Sequence, residues 1–181
     1  MTKTKEQWSQ IFSNAKHGHI LWDGRAENPY DPSLAYTTAY EFVDFAKTFG
    51  MFKNGENVFD IGCGNGKFCI PFSEMNLNYT GADPMREQIL FCIDAFKDFP
   101  QLQFKHIDVY NEIFNPKGSI PVEEYEFPFP NNSLDNIISY SIFTHLQTLS
   151  AAQKYMSEIK RTLKIGGKMF ISWYRSPPDR S

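Results

Sequence analysis

The sequence is poor in cysteine: Cys63, Cys69 and Cys92 are the only three in 181 residues. The number is odd and no pair is spaced C-x-x-C, so neither a disulfide framework nor a zinc site is indicated. The three thiols read as buried or loop residues of a reducing compartment. No apolar run approaches the ~18 residues that a membrane span needs. The opening Met1-Thr-Lys-Thr-Lys-Glu-Gln-Trp8 lacks the apolar stretch of a signal peptide, so the cytoplasm is the expected location. Positive charge is also short, with a formal net charge of −3. Residues 1–150 carry 11 basic and 19 acidic side chains (net −8), whereas 151–181 carry 7 and 2 (net +5). Lys154, Lys160, Arg161, Lys164 and Lys168 surround one amphipathic segment, the pattern of a solvated helix face. An acidic chain with one such face argues against nucleic acid as a partner.

What the chain does have is aromatic rings: 17 Phe, 9 Tyr and 3 Trp. That excludes intrinsic disorder. A chain of this length fits one domain with a core of its own.

The periodicity alternates between helix and strand. Trp8, Ile11, Phe12 and Ala15 have helical spacing, and Leu34 to Phe52 reads as a long helix stopped at Lys53-Asn54-Gly55. Asn57 to Ile61 is a short apolar strand, followed by a glycine loop and a helix from Lys67 to Met75. Strands are expected at 78–82, 102–107, 134–140 and 168–173, and a helix at Met85 to Phe96. Ser150-Ala-Ala-Gln153 has the capping-box pattern of a helix start, with Gly166-Gly167 as its stop. Residues 110–133 are a long connection with five prolines and glycines, of a length that is often functional. Alternating strands and helices predict a Rossmann-like three-layer α/β/α sandwich with a mostly parallel sheet. In such sheets ligands sit at the carboxyl ends of the strands. Asp60, Asp83 and Asp108 all fall at or near those ends.

Gly62-x-Gly64-x-Gly66 stands between the first strand and the next helix. Glycines there permit positive φ and let a ligand touch bare backbone, and the helix start offers free N–H groups. An acid at the next strand end, Asp83, is placed to hold a ribose diol. The spacing is not the dinucleotide G-x-G-x-x-G, because position 67 is Lys, and no G-K-[ST] follows. Asp60, two residues before the first glycine, would repel a pyrophosphate but suits a ligand carrying an ammonium group.

Val58-Phe-Asp-Ile-Gly-Cys-Gly-Asn-Gly66 closely resembles the first motif of the class I S-adenosylmethionine-dependent methyltransferases, including the type 11-like group. Gly81-Ala-Asp-Pro-Met85, His106-Ile-Asp-Val109, Phe127 to Asp135 and Glu158 to Gly167 resemble later motifs, in order. The resemblance spans roughly residues 40–174. It implies that Asp60, Gly62, Cys63, Gly64 and Gly66 line the methionine part of S-adenosylmethionine, with S-adenosylhomocysteine as product. By the same resemblance Asp83 binds the ribose, Pro84 and Met85 pack on the adenine, Asp108 and Val109 hold its edge, and Ser139 and Tyr140 lie under the sulfonium. No metal is implied. The domain is expected at 36–175, after an N-terminal helix and lid-like segment (1–35) and before a flexible tail (176–181). Trp22, Tyr30 and Tyr36 belong to the lid or its packing.

In the segment Ser141 to Leu146, His145 is the candidate catalytic base, the alternative being a histidine that packs or caps the next helix. His17 and His19 are weaker candidates, and His106 reads as structural. The reading is methyl transfer to a small-molecule acceptor. Two alternatives stand beside it: a non-catalytic cofactor-binding partner subunit, and an RNA or protein methyltransferase. The latter is disfavoured because Ser139-Tyr-Ser-Ile-Phe143 lacks an Asn/Asp-Pro-Pro-Tyr type of motif. Family members usually continue through two more strands. The resemblance therefore implies either a truncated chain or a minimal variant whose fifth-strand edge is covered by a homodimer partner, another chain or a lid.

Overall fold

A computed structural model describes residues 2–15 and 32–172. His17, His19, Trp22 and Tyr30 lie outside the described residues. Five strands form one sheet: β1 (Asn57–Ile61), β2 (Asn78–Asp83), β3 (Leu102–His106), β4 (Leu134–Tyr140) and β5 (Leu163–Ser172). Their order is β3-β2-β1-β4-β5, and all four pairings are parallel, so the sheet is wholly rather than mostly parallel. The central β1 is buried from Val58 to Ile61, as a strand covered on both faces must be.

Two cores follow from the alternation of side chains. One face of the sheet, with Val58, Tyr79, Leu102 and Ile138, packs under four helices. These are α1 (Lys5–Phe12), α2 (Pro32–Thr48), α3 (Cys69–Phe72) and α4 (Arg86–Ala95). The other face, with Phe59, Ile61, Ala82 and Ile137, packs under α5 (Leu149–Thr162) and the connection between β3 and β4.

The N-terminal helix is built to be packed. Thr4 Oγ accepts from the Gln7 N–H and the Gln7 side chain accepts from the Thr4 N–H, a capping box. Trp8 and Phe12 are fully buried, Trp8 with ring centroids 5.0 Å from Phe96 and 6.0 Å from Phe99. Burying an aromatic side chain of this size stabilises by roughly 1.5–3 kcal/mol. The expected N-terminal helix is thus a core helix.

Several element boundaries differ from the sequence reading: α2 ends at Thr48 rather than Phe52, and three further differences have a visible cause. The helix expected at 67–75 is one α turn, α3, flanked by i→i−3 bonds such as Cys69 N–H to Gly66 O and Met75 N–H to Phe72 O. The α5 cap is Thr148, whose Oγ accepts from the Ala151 N–H, rather than Ser150. Ser150 Oγ instead donates to Glu123. Finally, α5 ends at Thr162 and passes directly into β5, so Gly166-Gly167 lies inside the strand. The register jumps there from Leu134↔Leu163 to Asn136↔Lys168, and Gly166, at φ +80°, absorbs the bulge.

The connection 107–133 holds one 3₁₀ turn, Val122–Glu124, and two isolated bridges, Val109↔Ile120 and Asn111↔Asn115. Asn111 Oδ1 accepts from the N–H groups of Ile113 and Phe114, both at 3.0 Å. This side-chain turn fixes where Phe114 points.

Candidate functional site

The carboxyl ends of β2, β1 and β4 lie side by side and open into a cavity of about 200 Å³. Gly62, Cys63, Gly64, Asp83, Pro84 and Met85 line it, with Tyr140 and His145 from the β4 side. These are eight of the residues singled out in the sequence. Asp60, Gly66, Asp108, Val109 and Ser139 are not among the lining residues.

The glycine loop makes the cavity floor. The N–H groups of Gly62 and Cys63 both donate to Ala82 O, at 2.7 and 3.1 Å, which ties the loop to β2. Gly62, Gly64 and Gly66 all have positive φ, which side chains other than glycine rarely adopt. A Cβ on Gly64 would meet nothing within 4 Å, so backbone is open to a ligand there. A Cβ on Gly62 would overlap the Ile142 side chain, and one on Gly66 would press on Cys92 Sγ at 2.9 Å.

The acids divide by what already holds them. Asp83 accepts from the Gly64 N–H at 2.9 Å through one oxygen and from the Met85 N–H at 2.8 Å through the other. Burial pushes its carboxyl up, and the two N–H bonds pull against that. Each oxygen keeps a further lone pair for a ligand hydroxyl. Asp60 is almost fully buried and accepts from the Tyr79 hydroxyl at 2.8 Å. Burial pushes it up to about 7, with the Tyr79 bond opposing. Asp108 is bonded by Ser119 Oγ and N–H and by Asn115, which hold it below the usual carboxylate range. It braces the connection and stands off the cavity. Val109 is buried in the second core, and Ser139 Oγ is buried with no hydrogen-bond partner among the described residues.

His145 lines the cavity with its ring edge-on to Phe114, centroids 4.9 Å apart, and its backbone N–H donates to Ile142 O. The preceding Ser141 has φ +64° and its N–H donates to Ser172 Oγ at 2.8 Å, a strained turn held by the neighbouring strand. His106 bonds Pro84 O from β3, in keeping with a structural part.

Seven lining residues were given no site role from the sequence: Asn65, Lys67, Phe68, Gln88, Phe114, Ser141 and Ile142. Gln88 carried a signal, being a buried polar residue on the apolar side of α4, one turn beyond Met85. Lys67 carried one too, as a charge wedged between the glycines and the apolar run Phe68-Cys-Ile-Pro-Phe72. Phe114 had none, since its place depends on the Asn111 turn.

A second cavity, of about 360 Å³, lies at the opposite end of the sheet and is lined by Asn57, Asn78, Gln101 and Phe129 among others. Neither the glycine loop nor the strand-end acids reach it.

Comparison with known proteins agrees with this architecture. A family model described as a methyltransferase domain matches residues 59–171. An uncharacterized methyltransferase of Schizosaccharomyces pombe is 28% identical over 144 residues, 77% of this chain and 48% of the relative. The chain thus spans about half the length of that relative. Among solved structures, YcgJ of Bacillus subtilis is similar with a TM-score of 0.59 at 20% identity, covering 77% of this chain and 53% of YcgJ. Phosphoethanolamine N-methyltransferase 2 of Haemonchus contortus was solved with phosphomonomethylethanolamine and S-adenosylhomocysteine. It is similar with a TM-score of 0.54 at 23% identity, covering 75% of this chain and 31% of that one. With the family model matching more than half of its residues on an all-parallel sheet in this strand order, the chain belongs to the class I S-adenosylmethionine-dependent methyltransferases.

Proposed function

We propose that this chain transfers a methyl group from S-adenosylmethionine to a small-molecule acceptor. The observation that carries the reading is the cavity itself: bare backbone at Gly64, a carboxylate at Asp83 with spare lone pairs, and a histidine facing them from β4. When bound, the cofactor supplies a methyl group on a sulfonium sulfur, open to in-line displacement. Gly62, Cys63 and Gly64 line its amino-acid part, and Asp83 accepts from the ribose hydroxyls. Pro84 and Met85 pack on the adenine, whose edge falls to Gln88 and Phe114, because these line the cavity and Asp108 and Val109 do not. Asp60, Gly66 and Ser139 support the floor from behind. Tyr140 flanks the reacting sulfur. His145, steadied by Phe114, takes the acceptor's proton where the acceptor needs it. Phe68, Phe114 and Ile142 give the cavity apolar walls that keep water from the displacement.

A small acceptor suits the surface charge. Lys154 and Arg161 both pair with Glu158, and Lys164 pairs with Asp135, so much of the basic stretch is neutralised within the fold. Calorimetric titration with S-adenosylhomocysteine tests the cofactor half of the reading: saturable binding is expected. No heat with it, and binding of a nicotinamide dinucleotide instead, would overturn it. Incubation with methyl-labelled cofactor and a small-metabolite extract tests the acceptor half. Label appearing only in RNA or protein would show the acceptor class to be wrong.

A further inference from the structure

Among the described residues lining the cavity, Lys67 is the one ammonium and Asp83 the one carboxylate. Its Nζ lies 5.1 Å from the Phe68 ring centroid and 5.6 Å from that of Tyr140. Among the described residues it forms no ion pair within 4.0 Å. Asp60 is the acid whose charge it feels, yet that carboxylate is buried behind the loop and engaged by Tyr79. Burial accordingly lowers the lysine's affinity for its proton, with Asp60 partly restoring it. Aromatic faces attract a cation but do not neutralise it. A half-buried charge without a counter-ion, facing a cavity, is completed by an anion from the ligand.

The sheet order says which end of the ligand that is. Asp83 closes β2 and Tyr140 closes β4, and these strands flank β1 on opposite sides. The Lys67 ammonium lies over Tyr140, hence on the β4 side, away from Asp83. We infer that Lys67 pairs with the carboxylate of the cofactor's amino-acid tail, and that it selects a ligand bearing that tail over one with the adenosine alone. The inference rests on the cofactor reading above. The ribose is held at β2 and the tail carboxylate at β4, so the ligand is gripped at both ends by opposite charges and the sulfur between them is fixed.

The test compares S-adenosylhomocysteine with 5′-methylthioadenosine, which keeps the adenosine and the thioether but has no amino-acid tail. Binding of each to the wild-type chain and to Lys67→Met is measured by calorimetry. The variant is expected to bind S-adenosylhomocysteine at least about tenfold more weakly, the range of a charge-assisted hydrogen bond, with methylthioadenosine affinity unchanged. Equal losses for both ligands would make Lys67 a packing residue and overturn the inference. So would no loss for either. If Lys67→Met folds poorly, Lys67→Gln keeps the stem, and the ratio of the two affinities reads the same. A wild-type chain that binds neither ligand overturns the cofactor reading and this inference together. A wild-type chain that binds both, with the ratio intact in the variant, overturns this inference alone.

Discussion

At the amino ends of the strands, polar side chains close on one another. Asn57 Nδ2 donates to Ser133 O, Asn78 Nδ2 donates to Asn57 Oδ1, and Asn136 Nδ2 donates to Glu56. Asp135 accepts from the Asn57 N–H and pairs with Lys164. At the carboxyl ends the polar groups are buried but incompletely met. Asp60 has Tyr79 alone among the described hydrogen bonds, Ser139 Oγ has no partner there, and Lys67 has aromatic faces but no anion. Both ends have a cavity, and the amino-end one is the larger. The difference lies in whether the polar groups are already answered. One end uses its polarity to hold strands in register, and the other keeps it for a ligand.

The widest break in that contrast comes from Asp83→Ala. Asp83 holds the Gly64 and Met85 N–H groups and would hold two ribose hydroxyls. Its loss is expected to weaken S-adenosylhomocysteine binding by about a hundredfold, two charge-assisted bonds' worth. Unchanged affinity by calorimetry would remove the ribose assignment.

Asp60→Asn sharpens the contrast through pH. The folded carboxyl is pushed up to about 7 from an ordinary 3.8 by burial. Between those values the folded chain holds a proton that the unfolded chain has lost. The stability from this group is therefore complete below the ordinary value and is lost as pH rises through the folded one. The wild-type urea midpoint, set against that of Asp60→Asn, is expected to fall from about pH 4 to about pH 7 and to level off above. Parallel pH curves for the two proteins would contradict it.

The smallest effects separate the two ends directly. Asn136→Ala, at the amino end, is expected to cost about 1–2 kcal/mol because it removes a buried amide and its part-buried hydrogen bond to Glu56. Ser139→Ala, at the carboxyl end, is expected to cost less than about 0.5 kcal/mol or to stabilise, because the hydroxyl it removes has no partner among the described residues. Chemical denaturation of both reads the comparison. A larger loss for Ser139→Ala would reverse it.

The sheet was legible in the sequence because its strands are short apolar runs with punctuation on each side. The spans of β1 and β4 match the reading at both ends, 57–61 and 134–140. Helix ends were less legible. Ser150 and Thr148 are both good caps and both hydroxyls donate to Glu123, a residue of a distant loop, but it is Thr148 Oγ that also accepts from the Ala151 N–H. Gly166-Gly167 has the chemistry of a helix stop and of a strand bulge alike, and the register against β4 decides. At the site, the glycines, Asp83 and His145 follow from motif and strand-end logic. Asp108 follows from the same logic but is captured by Ser119 and Asn115, which the sequence alone does not bring to it. Lys67 entered the sequence reading as a helix start and as the residue that breaks a dinucleotide pattern; its meaning depends on rings that meet it in space.

The seam between β1 and β4 has a consequence for the order in which the molecule assembles. β1 joins β2 across one short crossover, Asn57↔Asn78, whereas its other neighbour is Val58↔Asn136, beyond two further strands and the long connection. Pairings between distant parts of a chain form late, because the loop they close must be ordered first. The cavity straddles this seam, with Asp83 on the early side and Tyr140 and His145 on the late side. Ligand binding is therefore expected to arise only with the last step of refolding, after amide protection has spread through β1 and β2. Pulsed hydrogen exchange, run beside a cofactor-binding signal, would show the two arriving in that sequence or, if they coincide, would show that the seam closes first.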